Sequence, residues 1–286
     1  MTKPYSAKAT QDKDEQWLLD EKYGGVATDA FENDKKRLAS GEPLAYIIGW
    51  QPFLGLKIHL DSHPLIPRPE TEWWVEQMLT SDRRAPEKRV SQRDGARGGD
   101  SPAGEDAALF EGAACPMLHV LDLCAGSGAI GCAALAALPE ARVSFGEVDP
   151  AHETTILKNI RENSLDVSRS DVRIGDLFKP FGATRFDLIA INPPYIPAGR
   201  VLSASVADHE PALALRSGED GLDLIRRIAV DLPHHLTPSG EAWIEVDSAA
   251  AAAATALFTD QGLAADVRND QYGVPRIVVV SFPRGT

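Results

Sequence analysis

The stretch Leu118-His119-Val120-Leu121-Asp122-Leu123-Cys124-Ala125-Gly126-Ser127-Gly128-Ala129-Ile130-Gly131 decides the fold. A short apolar run ends in a glycine turn, and an alanine-rich segment then continues to Pro139. The pattern predicts a buried strand over 118–123 and a helix over 129–138. Gly126 and Gly128 let the backbone turn sharply and approach a ligand, while the helix start offers free N–H groups. Gly126, Gly128 and Gly131 also match the dinucleotide fingerprint G-x-G-x-x-G, but such turns occur in many α/β proteins and a ligand-free turn stays open.

Working outward, strand and helix alternate. Strands are predicted over 142–148, 172–174, 186–191 and 242–246, with helices over 152–163 and 222–235. A helix over 249–258 has Ser248 available as its cap, and two closing strands are expected at 263–268 and 276–282. This alternation implies a mostly parallel, doubly wound α/β sheet. Upstream, residues 11–40 read as helical, broken at Gly24-Gly25. The runs 46–49 and 56–60 read as two short strands around a turn at 52–55. Pro64, Pro67 and Pro69 stiffen a loop leading into an amphipathic helix over 70–79. The stretch 81–114, rich in glycine and charge, reads as a flexible linker or surface insertion. The expected organisation is a short helical segment (1–42), a β-hairpin and proline-rich lid (43–80), the linker (81–115) and the main α/β domain (116–286).

A chain of 286 residues can hold one such domain plus a smaller appendage. Twenty-nine Lys+Arg stand against 42 Asp+Glu, a net charge of −13, which speaks against a nucleic-acid grip over many phosphates and suits a basic protein partner. No apolar run could span a bilayer, and the polar N-terminus lacks the core of a secretory signal. The cysteines, Cys115, Cys124 and Cys132, suggest neither a disulfide framework nor paired zinc ligands. The histidines show no metal-ligand spacing, and no metal is expected. A reducing cytoplasm and a monomer are expected.

The chemistry collects at strand ends. Glu147 and Asp149 close the second strand, where an acid can accept from the ribose hydroxyls of a nucleoside. Glu147 is favoured, because Asp149-Pro150 reads as a helix cap. Asp176 and Leu177 follow the third strand and could flank an adenine ring, although a solvated turn aspartate reads almost as well. After the fourth strand comes Asn192-Pro193-Pro194-Tyr195. The prolines stiffen this loop and remove two donors, so the Asn192 carboxamide oxygen and the Pro193 carbonyl can both face inward as acceptors. An –NH2 group held by two acceptors turns its lone pair toward a third direction, where a methyl donor can sit. Tyr195 offers an aromatic face to the substrate or to a sulfonium cation.

Asp122–Gly128, Glu147, Asp176 and Asn192–Tyr195 together resemble a seven-stranded, Rossmann-like methyltransferase. The segments 43–49, 53–56 and 66–72 (Ile-Pro-Arg-Pro-Glu-Thr-Glu), with His209-Glu210-Pro211 and 218–222, resemble more narrowly the HemK-type protein-glutamine methyltransferases. The resemblance covers about residues 40–80 and 117–282. It implies S-adenosyl-L-methionine as methyl donor, leaving S-adenosyl-L-homocysteine, with Asp122, Cys124, Ala125, Gly126, Ser127, Gly128, Glu147, Asp176, Leu177 and Asn192 around it. It implies a peptide chain release factor as partner, with the glutamine of its Gly-Gly-Gln loop held by Asn192, Pro193, Pro194 and Tyr195. Arg68 and Glu70 read either as part of a lid over the substrate entrance or as a capped, solvated helix start. The chain departs from the family in its shortened N-terminal segment, in the 81–114 stretch, and at Asp247, where glycine is frequent. The same loop would also suit a ribosomal-protein glutamine or an exocyclic base amine. A nicotinamide-dependent dehydrogenase would explain the glycine turn and Glu147 but leaves Asn192–Tyr195 without a role, and a non-catalytic module would not need that loop intact.

Overall fold

The computed structural model describes residues 7–81 and 117–284. The 81–114 stretch, Ser81 apart, lies outside the described residues, so the linker reading stays an expectation. Nine strands are described: β1 Trp50–Phe53, β2 Leu56–His59, β3 Leu118–Leu123, β4 Ala141–Glu147, β5 Ser170–Ile174, β6 Phe186–Ile191, β7 Leu236–Glu245, β8 Ala264–Asn269 and β9 Pro275–Ser281. β3 to β9 form one sheet in the order β5-β4-β3-β6-β7-β9-β8, parallel from β5 to β7, with β9 antiparallel to both neighbours.

Period-two alternation builds two cores, one on each face of this sheet. Val120, Leu188, Ala190, Trp243 and Val279 point to one face, where the helices Pro69–Thr80, Ala129–Ala137 and Glu153–Glu162 pack. Leu121, Ile189, Ile191, Ile244 and Val280 point to the other, covered by the helices Asp223–His235 and Ala251–Thr259. The order of strands reverses between β3 and β6, and a crevice opens outside the carboxyl ends of the strands at such a switch point. Register sharpens its location: Leu123 pairs with both Gly146 and Ile191, Glu147 with Ile174, and Ile191 with Ile244. The loops after β3, β4, β5, β6 and β7 therefore leave the sheet along one edge.

Three expectations need correction. Residues 46–49 are not a strand: Leu44–Ile48 is a short helix ended by Gly49 at φ 94°. Ala45, Tyr46 and Ile47 are all buried, and an apolar run this short does not distinguish helix from strand. The hairpin turn is the pair Leu54-Gly55, both at positive φ, the geometry that matches the twist of two-residue hairpins. Finally, Asp247 rather than Ser248 caps the segment before the last helix, accepting from the Ala249 N–H at 3.0 Å. The hairpin is bound to the helix Glu153–Glu162 by asparagines one helical turn apart. Asn159 bonds both backbone groups of His59, and Asn163 both of Lys57, in place of a neighbouring strand. Among the described residues no helix is long and apolar enough to cross a membrane.

Candidate active site

Two cavities meet at the switch point. The larger, about 400 Å³, is bounded by Cys124 and Gly126 after β3, Glu147 and Asp149 after β4, Asp176 and Leu177 after β5, and Asn192 and Pro194 after β6. The smaller, about 270 Å³, is bounded by Arg68, Asn192, Pro193 and Tyr195, with Val201, Leu202, Val206 and Leu215 as apolar wall. Asn192, Leu65 and Ala214 belong to both, so they form the partition.

In the larger cavity the glycine turn works mainly through its backbone. Cys124 and Gly126 have φ 63° and 54°, and burial raises the Cys124 thiol so that it stays protonated. Ala125, Ser127 and Gly128 shape the turn without lining the cavity: the Gly128 N–H donates to Ala125 O at 2.7 Å, and Ser127 O accepts from Asn159. Asp122 lies beneath the turn, 1% exposed, accepting the Gly131 N–H at 2.8 Å. Burial pushes its carboxyl up to about 8, against the lowering effect of that bond and with the charge of Glu147 adding to the rise. Its Oδ1 has no partner, and it lines neither cavity.

Glu147 is 6% exposed and accepts three backbone N–H groups, from Gly126 (2.7 Å), Val148 (2.8 Å) and Asp149 (2.9 Å). A carboxylate has about four lone-pair sites, so Oε2, with one donor, retains a free one on a residue that lines the cavity. Asp149 caps the following turn through Ala151 at 2.9 Å. Asp176 is gripped by Arg227 at 2.6 and 2.7 Å and by Lys179 at 2.7 Å, which hold its carboxyl below the usual range. Arg227, which the sequence reading missed, lines the same cavity.

At the partition, Asn192 Oδ1 is buried with no hydrogen-bond partner, while Nδ2 lies 3.3 Å from Thr71 Oγ1. Tyr195 turns its ring to the smaller cavity and donates its hydroxyl to Glu245 Oε1 at 2.8 Å. Burial first, then the Glu245 carboxylate, raises the Tyr195 phenol well above its ordinary value, so it stays a donor. Arg68 lines the smaller cavity and pairs with Glu210, whose side chain is 1% exposed and whose other oxygen accepts the Ile66 N–H. Glu210 thus clamps the proline-rich segment over the site. Glu70 lines neither cavity. Glu72 of the same turn instead accepts the Leu54 N–H at 2.6 Å and ties the hairpin down. Asp247 pairs with Arg200, which lies five residues beyond Tyr195, and does not border the larger cavity.

Thr71, Trp74, Glu210 and Glu245 were not singled out as site residues from sequence. Thr71 and Glu210 stood only within the segments that carry the family resemblance, and Glu245 carried a local signal, an acid ending the apolar run Ala242-Trp243-Ile244.

Residues 111–210 match the family model described as Methyltransferase small domain. The chain is 34% identical over 245 residues to a release factor glutamine methyltransferase from Geobacter sulfurreducens, covering 85% of this chain and 74% of that protein. It is 32% identical to a namesake from Mycolicibacterium smegmatis, over 88% and 79% of the two chains. A ribosomal protein uL3 glutamine methyltransferase from Bradyrhizobium diazoefficiens is 34% identical, over 72% of this chain and 57% of that one. Among solved structures, the hMettl16 catalytic domain in complex with MAT2A 3'UTR hairpin 6 shares the fold at a TM-score of 0.52 and 14% identity, over 99% and 94% of the chains. Identity and coverage together place this chain in the family of release factor glutamine methyltransferases.

Proposed function

We propose that this chain methylates the side-chain amide nitrogen of the glutamine in the Gly-Gly-Gln loop of a peptide chain release factor, using S-adenosyl-L-methionine, in the cytoplasm. The observation that carries the reading is Asn192 Oδ1, a buried acceptor with no partner on the wall between two cavities. A buried unsatisfied acceptor costs about 1–3 kcal/mol, so its persistence asks for a ligand that donates to it. A planar –NH2 entering from the smaller cavity is such a donor.

The residues around the larger cavity fit the methyl donor. Its volume lies within the range of small-molecule sites, and Glu147 keeps a lone pair where a ribose hydroxyl can donate. When bound, S-adenosyl-L-methionine supplies an electrophilic methyl group. Asn192 Oδ1 and the Pro193 carbonyl would hold the two amide hydrogens and leave the nitrogen lone pair facing the larger cavity. The apolar wall of Val201, Val206 and Leu215 suits the methylenes of a glutamine stem. Tyr195 contributes a ring face and not a base, because its proton is committed to Glu245.

The test is labelled methyl transfer to purified release factor, ribosomal protein uL3, and RNA or DNA in parallel. The label is expected on the release-factor glutamine by peptide mass spectrometry. Label confined to nucleic acid would overturn the reading, and label confined to uL3 would move the substrate to the ribosomal protein. Asn192→Ala is expected to lower kcat by about 10²–10³-fold while donor affinity by calorimetry stays near that of the native chain.

A further inference from the structure

Glu245, at the carboxyl end of β7 and 1% exposed, collects three side-chain donors. Its Oε2 accepts from Thr71 Oγ1 at 2.7 Å and Trp74 Nε1 at 2.8 Å, and its Oε1 from Tyr195 Oη at 2.8 Å. Thr71 is 3% exposed and Trp74 fully buried, so water does not compete for these bonds. The inventory of protons then sets a direction. A carboxylate only accepts, and a hydroxyl has one proton, so the Thr71 proton is committed to Glu245. Thr71 Oγ1 is left facing Asn192 with lone pairs alone. Only the nitrogen end of the Asn192 carboxamide can satisfy it, and that end lies there, at 3.3 Å. The oxygen end is left on the side away from Thr71, buried and without a partner, on a residue that borders both cavities.

We propose that Thr71 and Glu245 are positioning residues that fix which end of the Asn192 carboxamide meets the substrate. The proposal rests on the reading that Asn192 accepts a hydrogen bond from the substrate amide. A carboxamide is nearly symmetric in shape, and its flipped form would oppose the substrate –NH2 with another –NH2. Donor would face donor, and the amide would lose the acceptor that aims its lone pair. The relay from Glu245 through Thr71 removes that rotamer. By also holding the Tyr195 hydroxyl, the same carboxylate fastens both ends of the Asn192–Tyr195 loop to β7 and to the helix Pro69–Thr80.

Thr71→Val keeps shape and removes the hydroxyl, Thr71→Ser keeps the hydroxyl, and Glu245→Met removes the acceptor, which frees the Thr71 proton to turn toward Asn192. Each variant of the full chain is assayed for kcat and KM on release factor, for donor affinity by calorimetry, and by amide NMR of the Asn192 side chain. Thr71→Val is expected to lower kcat about 100-fold with donor affinity unchanged, Glu245→Met to lower it similarly, and Thr71→Ser to restore most of it. The Asn192 carboxamide resonances should move in Thr71→Val and Glu245→Met and stay in Thr71→Ser. A folded Thr71→Val with kcat near the native value would sink the proposal, as would Thr71→Ser failing as badly as Thr71→Val. So would a loss of donor affinity equal to the loss of kcat. Should Thr71→Val not fold, Thr71→Ala carries the same kinetic and spectroscopic outcomes. The NMR readout needs no substrate, so a native enzyme that left glutamine unmodified would overturn the substrate reading and leave the relay judged by the resonances alone.

Discussion

Asp122 and Glu147 are both buried acids beside the glycine turn, yet their surroundings treat them in opposite ways. Glu147 receives three N–H donors, whereas Asp122 receives one, from Gly131, and keeps an oxygen without a partner. With a single donor, burial dominates and lifts the Asp122 carboxyl from an ordinary 3.8 to about 8. In that window the native state holds a proton that the unfolded chain has released. Stability linked to Asp122 is therefore fully present below about pH 4 and is lost as pH rises toward 8. Asp122→Asn removes the ionisation and keeps an oxygen for Gly131. Urea midpoints measured from pH 5 to pH 8 should fall more steeply for the native chain than for Asp122→Asn. Parallel slopes would show that Asp122 is already ionised in the folded protein.

At the scale of elements, the glycine fingerprint separates into two kinds of glycine. Gly126 and Gly128 stand at positive φ in the turn, but Gly131 lies inside the helix Ala129–Ala137. A Cβ on Gly131 would sit 2.2 Å from Cε1 of Phe145, which is fully buried on β4. Gly131 thus sets how closely this helix lies on the sheet. Gly131→Ala should cost about 1–3 kcal/mol through overpacking, offset by up to about 1 kcal/mol of helix propensity. Trimming the ring in Gly131→Ala/Phe145→Leu should recover part of the loss. Equal destabilisation in the single and double variants, read from urea melts, would show that the ring is not the obstacle. This division was only half legible in sequence. Strand alternation is a local property, and β6 was readable to its end residues because Phe186–Ile191 is apolar throughout apart from Asp187. The run 46–49 was misread because four residues contain too little periodicity to separate a helical turn from a strand. Arg68 and Asn192 could be suspected from neighbouring prolines. Thr71 could not, since the acid that gives it a role lies 174 residues away, and on its own helix it looks like an ordinary first-turn residue.

Across the whole molecule, burial is uneven, and this sets which part opens first. The two faces of the seven-stranded sheet carry large continuous cores, whereas the N-terminal helices Ala7–Tyr23 and Asp29–Ala39 meet the rest through a core of Leu18, Phe31 and Ile47. A polar clamp supplements this small core. Asp34, buried, accepts from Lys22 at 2.6 Å and from Tyr23 and Arg37 at 2.7 Å each. Burial alone would raise its carboxyl, but the three donors outweigh it and the net shift is downward from 3.8. Stability from this clamp is present above that ordinary value and is lost as pH falls through the lowered one. Acid thus loosens the N-terminal helices; Asp270, held below its ordinary range between β8 and β9, weakens as well, but there the two large cores of the sheet remain. Trp17 reports the event, because its ring meets Trp50 of β1 edge to face, with centroids 6.1 Å apart. On acidification below pH 4, the Trp17 emission, taken as the difference between the native chain and Trp17→Phe, should shift to the red while the far-ultraviolet signal of the sheet persists. Asp34→Asn should show the red-shifted Trp17 emission at neutral pH, since losing the charge and one of the two oxygens that accept from Lys22, Tyr23 and Arg37 costs about 1–3 kcal/mol against a small core. A single transition shared by both signals would mean that the helices and the sheet unfold as one unit.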